Sequence, residues 1–177
     1  MEFRNLLANE IDVRIGQSNA DAGYISLLLY KDARVDMAIL DSSVGSYRWQ
    51  RKHYNLNGVV YCSVGIFFPE VGDWVWKDDC GSEGNVEKDK AAASDSFKRS
   101  CTVWGIGREL YTAPEMKIYC DFSGTNKKYP VIRDFKVEKI VIENHTIKAI
   151  SITAYNNSTK KRERVYVWMD ESLRTEE

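Results

Sequence analysis

Two short turn sequences divide residues 46–79 into three strand-like runs, at 46–54, 59–68 and 73–79. The segments between the runs carry the Asn, Gly and Pro residues that tight hairpin loops require. Because such loops are too short to cross over a sheet, neighbouring runs are expected to pair antiparallel. The sequence therefore predicts a three-stranded antiparallel β-meander in this part of the chain.

The stretch that follows, residues 86–104, contains no Gly or Pro and is the strongest helix prediction in the chain. On a helical wheel its apolar residues, among them Phe97 and Trp104, share one face, while Lys98 and Arg99 lie with other polar residues on the opposite one. The apolar face is expected to pack on the meander. The predicted fold class is therefore α+β, with a β-β-β-α core.

The last third of the chain has the β-branched bias of a partly buried sheet, in runs at 134–143, 146–155 and 162–168. We interpret it as an additional C-terminal β-rich part, at about 131–169. A length of 177 residues suits one domain. The prediction is a single domain over 1–177, with its core at about 10–111.

Turn-forming residues and apolar spacing give the predictions for the other segments. Residues 1–12 have the spacing of a short helix, and 28–40 suit a helix better than a strand. Residues 14–23 are rich in turn formers and are expected to form a loop. Residues 112–133 contain Gly, Pro and adjacent lysines, and are expected to be a flexible link.

The overall charge and the cysteine pattern exclude several classes of protein. The formal net charge is −1, so any nucleic-acid site must come from local clustering of Lys and Arg. The four cysteines are widely spaced without a C-x-x-C pair, which indicates a protein of a reducing cytoplasm and argues against a zinc site. No apolar run approaches the roughly twenty residues that cross a bilayer.

Residues 90–111, which run KAAASDSFKRSCTVWGIGRELY, resemble the signature helix of the Rad-fifty-two-type single-strand annealing proteins found in phages and prophages. In that family a helix carrying Lys-x-Ala-x-[Ser/Thr]-Asp-x-[Leu/Phe]-Lys-Arg runs into a glycine-bearing turn after an aromatic residue. Phage members commonly continue Gly-Ile-Gly-Arg-x-Leu-Tyr, as this sequence does. A second match places Arg14 at the end of a short segment that is followed by Tyr24 and Ile25. The resemblance covers about residues 10–111.

The resemblance implies binding of single-stranded DNA and ATP-independent annealing of complementary strands in phage-type homologous recombination and DNA repair. It implies a homo-oligomeric ring in a bacterial host cytoplasm, with a phage exonuclease and a host single-strand binding protein as partners. Arg14, Lys98 and Arg99 become candidate phosphate contacts, with Lys90 a lesser one. The sequence departs from some relatives at Thr102 and Val59, where those proteins carry a further basic residue.

Residues 47–54 mix basic and aromatic side chains, which is the composition of a surface that binds single strands. Strand alternation places Arg48 and Lys52 on one face and Trp49 on the other. We interpret Trp49 as a core residue, and Arg48 and Lys52 as further candidate DNA contacts.

Two other classes of function remain open from the sequence. One is a small α+β ligand-binding or hydrolase domain that encloses a pocket. The other is a structural phage assembly protein, in which Lys98 and Arg99 would be dispensable. An acidic cluster at residues 78–89 lacks the His or Lys base and the carboxylate spacing of a metal-dependent nuclease. Annealing makes no covalent bond, so the sequence predicts a non-catalytic protein without cofactor or metal.

Overall fold

The computed structural model describes residues 1–81 and 88–173. The chain divides into two compact units. The first unit comprises Met1–Asn5 and Asp32–Arg108, and the second comprises Leu6–Lys31 and Glu109–Glu177. The core predicted at about 10–111 therefore draws residues from both units.

The strands and α-helices of the described residues follow one another along the chain as β1 (Asp12–Asn19), β2 (Tyr24–Tyr30), α1 (Ala33–Val44), β3 (Trp49–Leu56), β4 (Val59–Phe68), β5 (Asp73–Cys80), α2 (Lys88–Trp104), β6 (Met116–Tyr119), β7 (Phe122–Ser123), β8 (Tyr129–Pro130), β9 (Ile132–Glu143), β10 (Thr146–Asn156) and β11 (Lys161–Met169). Short 3-10 helices occupy Ala8–Glu10, Arg108–Thr112, Thr125–Lys127 and Glu171–Leu173.

The predicted fold class is wrong. Among the described residues, strands hold far more of the chain than helices do, so the protein is mostly β rather than an α+β domain built on a β-β-β-α core. Its largest sheet has six strands, in the order β11-β10-β9-β1-β2-β6. The predicted C-terminal β-rich part is not an addition to a core, because its three strands join β1, β2 and β6 in this one sheet.

In the first unit, β3, β4 and β5 form a separate antiparallel sheet, with the strand pairings that the two turn sequences predicted. Helix α2 packs on β4 and β5. Phe97 of α2 is fully buried, and its ring stacks on Trp49 with the centroids 6.1 Å apart. The interpretation of Trp49 as a core residue agrees with this contact. The first residues predicted for the helix, 86 and 87, lie outside the described residues.

Gly81 lies where the chain leaves β5 and passes close to α2. A Cβ atom at this position would lie 2.2 Å from the carbonyl oxygen of Ala92, which is backbone and cannot turn away. We expect Gly81→Ala to lower the free energy of unfolding by about 1–3 kcal/mol, the usual cost of overpacking. Urea unfolding measures the change. Ser94→Ala, on the exposed side of the same helix, is the matched control and should stay within about 0.5 kcal/mol of the wild type.

In the second unit, the six-stranded sheet curls until its two edges meet. The Tyr166 hydroxyl of β11 donates to the carbonyl oxygen of Glu115, next to β6, at 3.3 Å. The sheet encloses an apolar core to which every one of its strands contributes. Ile25, Ile147 and Ile152 are among its most deeply buried members.

Most N-terminal and linking segments differ from the predictions. Residues 14–23 were expected to be a loop, yet they hold most of β1, which pairs antiparallel with β2 through a bulge between Ile15 and Gln17. Residues 28–40 contain the end of β2 as well as most of α1, and 1–12 contain a 3-10 turn and the first residue of β1. The expected flexible link at 112–133 contains β6, β7 and β8.

Candidate nucleic-acid interface

Helix α2 carries three of the predicted DNA contacts, Lys90, Lys98 and Arg99. Its position is fixed by side-chain hydrogen bonds to the sheet of the first unit. The backbone N–H of Asp79 donates to Ser100 Oγ at 3.0 Å, and Trp104 Nε1 donates to the carbonyl oxygen of Val64 at 2.9 Å. Helix α2, which carries Lys98 and Arg99, is therefore attached to both β4 and β5.

Arg99 is held in place by a carboxylate of the neighbouring strand. Its Nε atom lies 3.3 Å from Asp79 Oδ1, and 44% of the side chain remains exposed. An ion pair with this much exposure adds little stability. The ion pair instead fixes the position of the Arg99 guanidinium at the edge of β5.

Lys98 differs from Arg99 in its surroundings. Its side chain is partly exposed, and within residues 1–81 and 88–173 no carboxylate pairs with it. Lys90, nearer the start of the helix, is exposed. Lys98 is therefore a cation whose charge no described carboxylate offsets, beside an arginine of fixed position.

Arg48 and Lys52 lie on the face of the first unit's sheet that is opposite α2. Lys52 pairs across the strands with Ser63, while Arg51, one residue earlier, pairs with the buried Val64 and points to the helix side. The Lys52 ammonium lies 4.2 Å from the ring centroid of Trp76. The alternation predicted for this strand is thus present, and the two cations are on a different face from Lys98.

Arg14 lies in the second unit, on the exposed face of β1. Its guanidinium is 6.0 Å from the ring centroid of Tyr30. The strand pairing places Tyr24 and Lys117 on this same face. The Lys117 ammonium is 3.9 Å from the Tyr24 centroid and 5.5 Å from that of Tyr119, which is 72% exposed. This face therefore combines cations with accessible aromatic rings, as surfaces for single strands do.

Lys117 and Tyr119 were missed by the sequence reasoning, which placed residues 112–133 in a flexible link. A signal was present. Met116 and Ile118 are buried while Lys117 and Tyr119 are exposed, which is the alternation of a strand with one face in water. Four residues are too few for the alternation to stand out beside the turn formers that follow.

The basic run at residues 160–164 behaves differently, because its arginines are neutralised. Arg164 donates two hydrogen bonds to Glu138, at 2.6 and 2.8 Å, and Arg162 donates to Asp134. These hydrogen bonds satisfy both guanidinium groups within the protein. This run is a weaker candidate for a polyanion than Lys98.

The Glu138 pair predicts a specific pH dependence. Hydrogen bonds from Arg164 lower the pKa of the Glu138 carboxyl from 4.5 to about 2. Because the folded-state pKa is lowered, the pair stabilises the fold above pH 4.5. That contribution is lost as the pH falls through about 2. An NMR titration of the Glu138 carboxyl carbon should show this low midpoint, and Arg164→Met should return it towards 4.5. A wild-type midpoint near 4.5 would contradict the pairing.

Among the residues that the structure describes, no group of three or more His, Cys, Asp or Glu side chains could hold a metal ion. None of the described helices has the length and apolar character needed to span a membrane. Comparison of the chain with protein-family models, with curated proteins and with solved structures gives no significant match.

Proposed function

We propose that this protein binds single-stranded DNA and promotes the annealing of complementary strands without ATP. Lys98 and Arg99 of α2 contact backbone phosphates, with Lys90 as a lesser contact. Arg14 and Lys117 supply further cationic contacts on the exposed face of β1, β2 and β6. The protein forms no bond in the strand and uses no cofactor, since pairing of bases needs only that two strands be held and presented.

One observation carries the proposal. Lys98 and Arg99 are adjacent cations on a helix fixed to its sheet, and no described carboxylate offsets the charge of Lys98. A protein with 25 basic and 26 acidic residues can place most cations beside an acid, as it does for Arg162 and Arg164. A cation left without such a partner on a rigid element suits an external anion, and DNA is a polyanion.

Contact through the phosphates makes binding compatible with annealing, because it leaves the bases free. Each phosphate that a Lys or Arg neutralises releases counterions, which supplies affinity without reading the bases. The Watson–Crick edges of the held strand then stay available for a complementary strand. The attachment of α2 to its sheet helps, because the helix need not be ordered when the strand binds.

The ring, the bacterial host cytoplasm, and the exonuclease and single-strand binding partners are part of the same proposal. They come from the resemblance of residues 90–111 to the annealing family. A ring would place the same helix of each copy along one continuous track, so that contacts with a long strand add up.

Annealing of two complementary oligonucleotides, one with a fluorophore and one with a quencher, tests the proposal directly. The reaction contains a chelator and no nucleotide. We expect the protein to accelerate quenching over the spontaneous rate, and Lys98→Ala/Arg99→Ala to lose most of the acceleration. Lys128→Ala/Lys161→Ala, which removes two exposed cations of the second unit, is the charge-matched control. No acceleration by the wild type, or equal loss in the control, would refute the proposal.

A further inference from the structure

The sheet of the first unit has a second face, which we call the aromatic face. In the described part of this unit, α1 and α2 both contact the other face, α2 through Phe97 and α1 through a hydrogen bond from Trp49 Nε1 to Asp41 at 2.7 Å. Strand alternation and register define the members of the aromatic face. Its members include the cations Arg48 and Lys52 and the rings of Phe67, Trp74 and Trp76.

Three rings of this face form a continuous cluster. The Trp74 and Trp76 rings stack with centroids 5.9 Å apart and planes at 29°, and Phe67 lies 5.6 Å from Trp74. The Trp76 ring lies flat over Gly65, since a Cβ at Gly65 would be 2.6 Å from it. All three rings are partly exposed. The glycine therefore holds one side of the Trp76 ring against the strand and leaves the other side turned outward.

The charges beside the cluster are cationic. The Lys52 ammonium lies over the Trp76 ring, 4.2 Å from its centroid, and the backbone of Arg48 pairs with that of Phe67. Asp78, the one carboxylate among the described residues of the face, accepts hydrogen bonds from the hydroxyls of Tyr54 and Ser63. The face thus presents stacked rings flanked by Arg48 and Lys52, with its acidic group already occupied.

We propose that the aromatic face stacks the bases of bound single-stranded DNA. A base that stacks on Trp76 displaces the Lys52 ammonium from the ring, and a neighbouring base stacks on Trp74. Lys52 and Arg48 then contact the phosphates that flank these bases. This combination of rings and cations fits a strand, since every base offers a π-face and every nucleotide a negative charge. A second copy of this chain, with a net charge of −1, would have no general need for these cations. Stacking occupies the faces of the bases and leaves their pairing edges free, so it is compatible with annealing.

The inference rests on the proposed function, and the test separates the two. Fluorescence anisotropy compares a labelled thymidine oligonucleotide with an abasic strand of the same length and charge. One stacked base contributes about 1–3 kcal/mol, so the wild type should bind the thymidine strand at least about tenfold more tightly. Equal affinity for the two strands would overturn the inference and leave the proposed function standing. Failure to bind either strand would overturn both.

Variants then locate the stacking. Trp74→Leu/Trp76→Leu should bring the ratio of the two affinities towards one while keeping the affinity for the abasic strand. Trp74→Phe/Trp76→Phe, which retains rings, should keep most of the ratio. Tyr111→Leu removes a ring that is 70% exposed in the second unit and should leave the ratio unchanged. Equal weakening towards both strands, or a changed elution volume in size exclusion, would overturn the inference, because the rings would then serve the fold or a contact between copies.

Discussion

Lys98→Ala/Arg99→Ala is expected to weaken binding of single-stranded DNA about 25-fold near 0.1 M salt. The estimate follows from counterion release, in which each phosphate contact to a single strand contributes about 0.7 to the slope of log affinity against log salt. At about 0.1 M salt one contact is then worth about fivefold, and two are worth about 25-fold. The slope itself should fall by about 1.4. Anisotropy titrations over a range of salt concentrations measure both quantities.

Two controls accompany this prediction. Lys128→Ala/Lys161→Ala removes the same charge from exposed positions elsewhere and should leave the slope close to that of the wild type. Lys98→Ala alone should cost about fivefold and keep the ion pair between Arg99 and Asp79. Circular dichroism checks that each variant folds. A double variant with wild-type affinity and slope would contradict the role of α2.

Phe97→Ala is expected to cause the largest loss of stability, about 3–5 kcal/mol, as is usual for truncating a buried Phe. The side chain is fully buried, stacks on Trp49, and lies 4.7 Å from the Arg51 guanidinium on the side of the sheet that faces α2. Its removal leaves a cavity between helix and sheet, directly beneath the predicted phosphate contacts. Urea unfolding followed by tryptophan fluorescence measures the loss.

Phe97→Leu is the matched control for this second prediction. It keeps most of the apolar volume, so its cost should be clearly smaller than that of alanine. The single-strand affinity of Phe97→Leu should stay near the wild-type value, because the helix remains attached. A loss of less than about 1 kcal/mol in Phe97→Ala would show that Phe97 does not anchor α2.

The strand predictions are accurate where residues close together in the sequence mark the strand, and fail where only distant contacts place it. Strands β3, β4 and β5 follow from two tight turns, and β9, β10 and β11 follow from the β-branched bias of their residues. Strand β1 reaches its place in the sheet through contacts with β2 and β9, which are distant from each other in sequence. Its glycine and polar residues resemble a loop when they are considered alone. The fold class was wrong for the same reason, since the six-stranded sheet joins both ends of the chain.

The candidate site was predictable only where a motif or a long strand marked it. The motif at residues 90–99 indicated Lys98 and Arg99, and alternation placed Arg48 and Lys52 on one face. The aromatic partners of Lys52 come from another strand, so only the register brings Trp76 beside it. Lys117 and Tyr119 needed the pairing of β6 with β2. Residues that meet through cross-strand contacts cannot be matched without knowing which strands pair.

The most direct test of the central claim replaces the charged backbone of the DNA. A thymidine oligonucleotide is compared with its uncharged methylphosphonate analogue, for the wild type and for Lys98→Ala/Arg99→Ala. We expect the wild type to bind the uncharged strand far more weakly than the charged strand. The ratio of the two affinities should be about 25-fold smaller for the variant, because its two phosphate contacts are already gone. An equal loss in both proteins would contradict contact between these side chains and the phosphates.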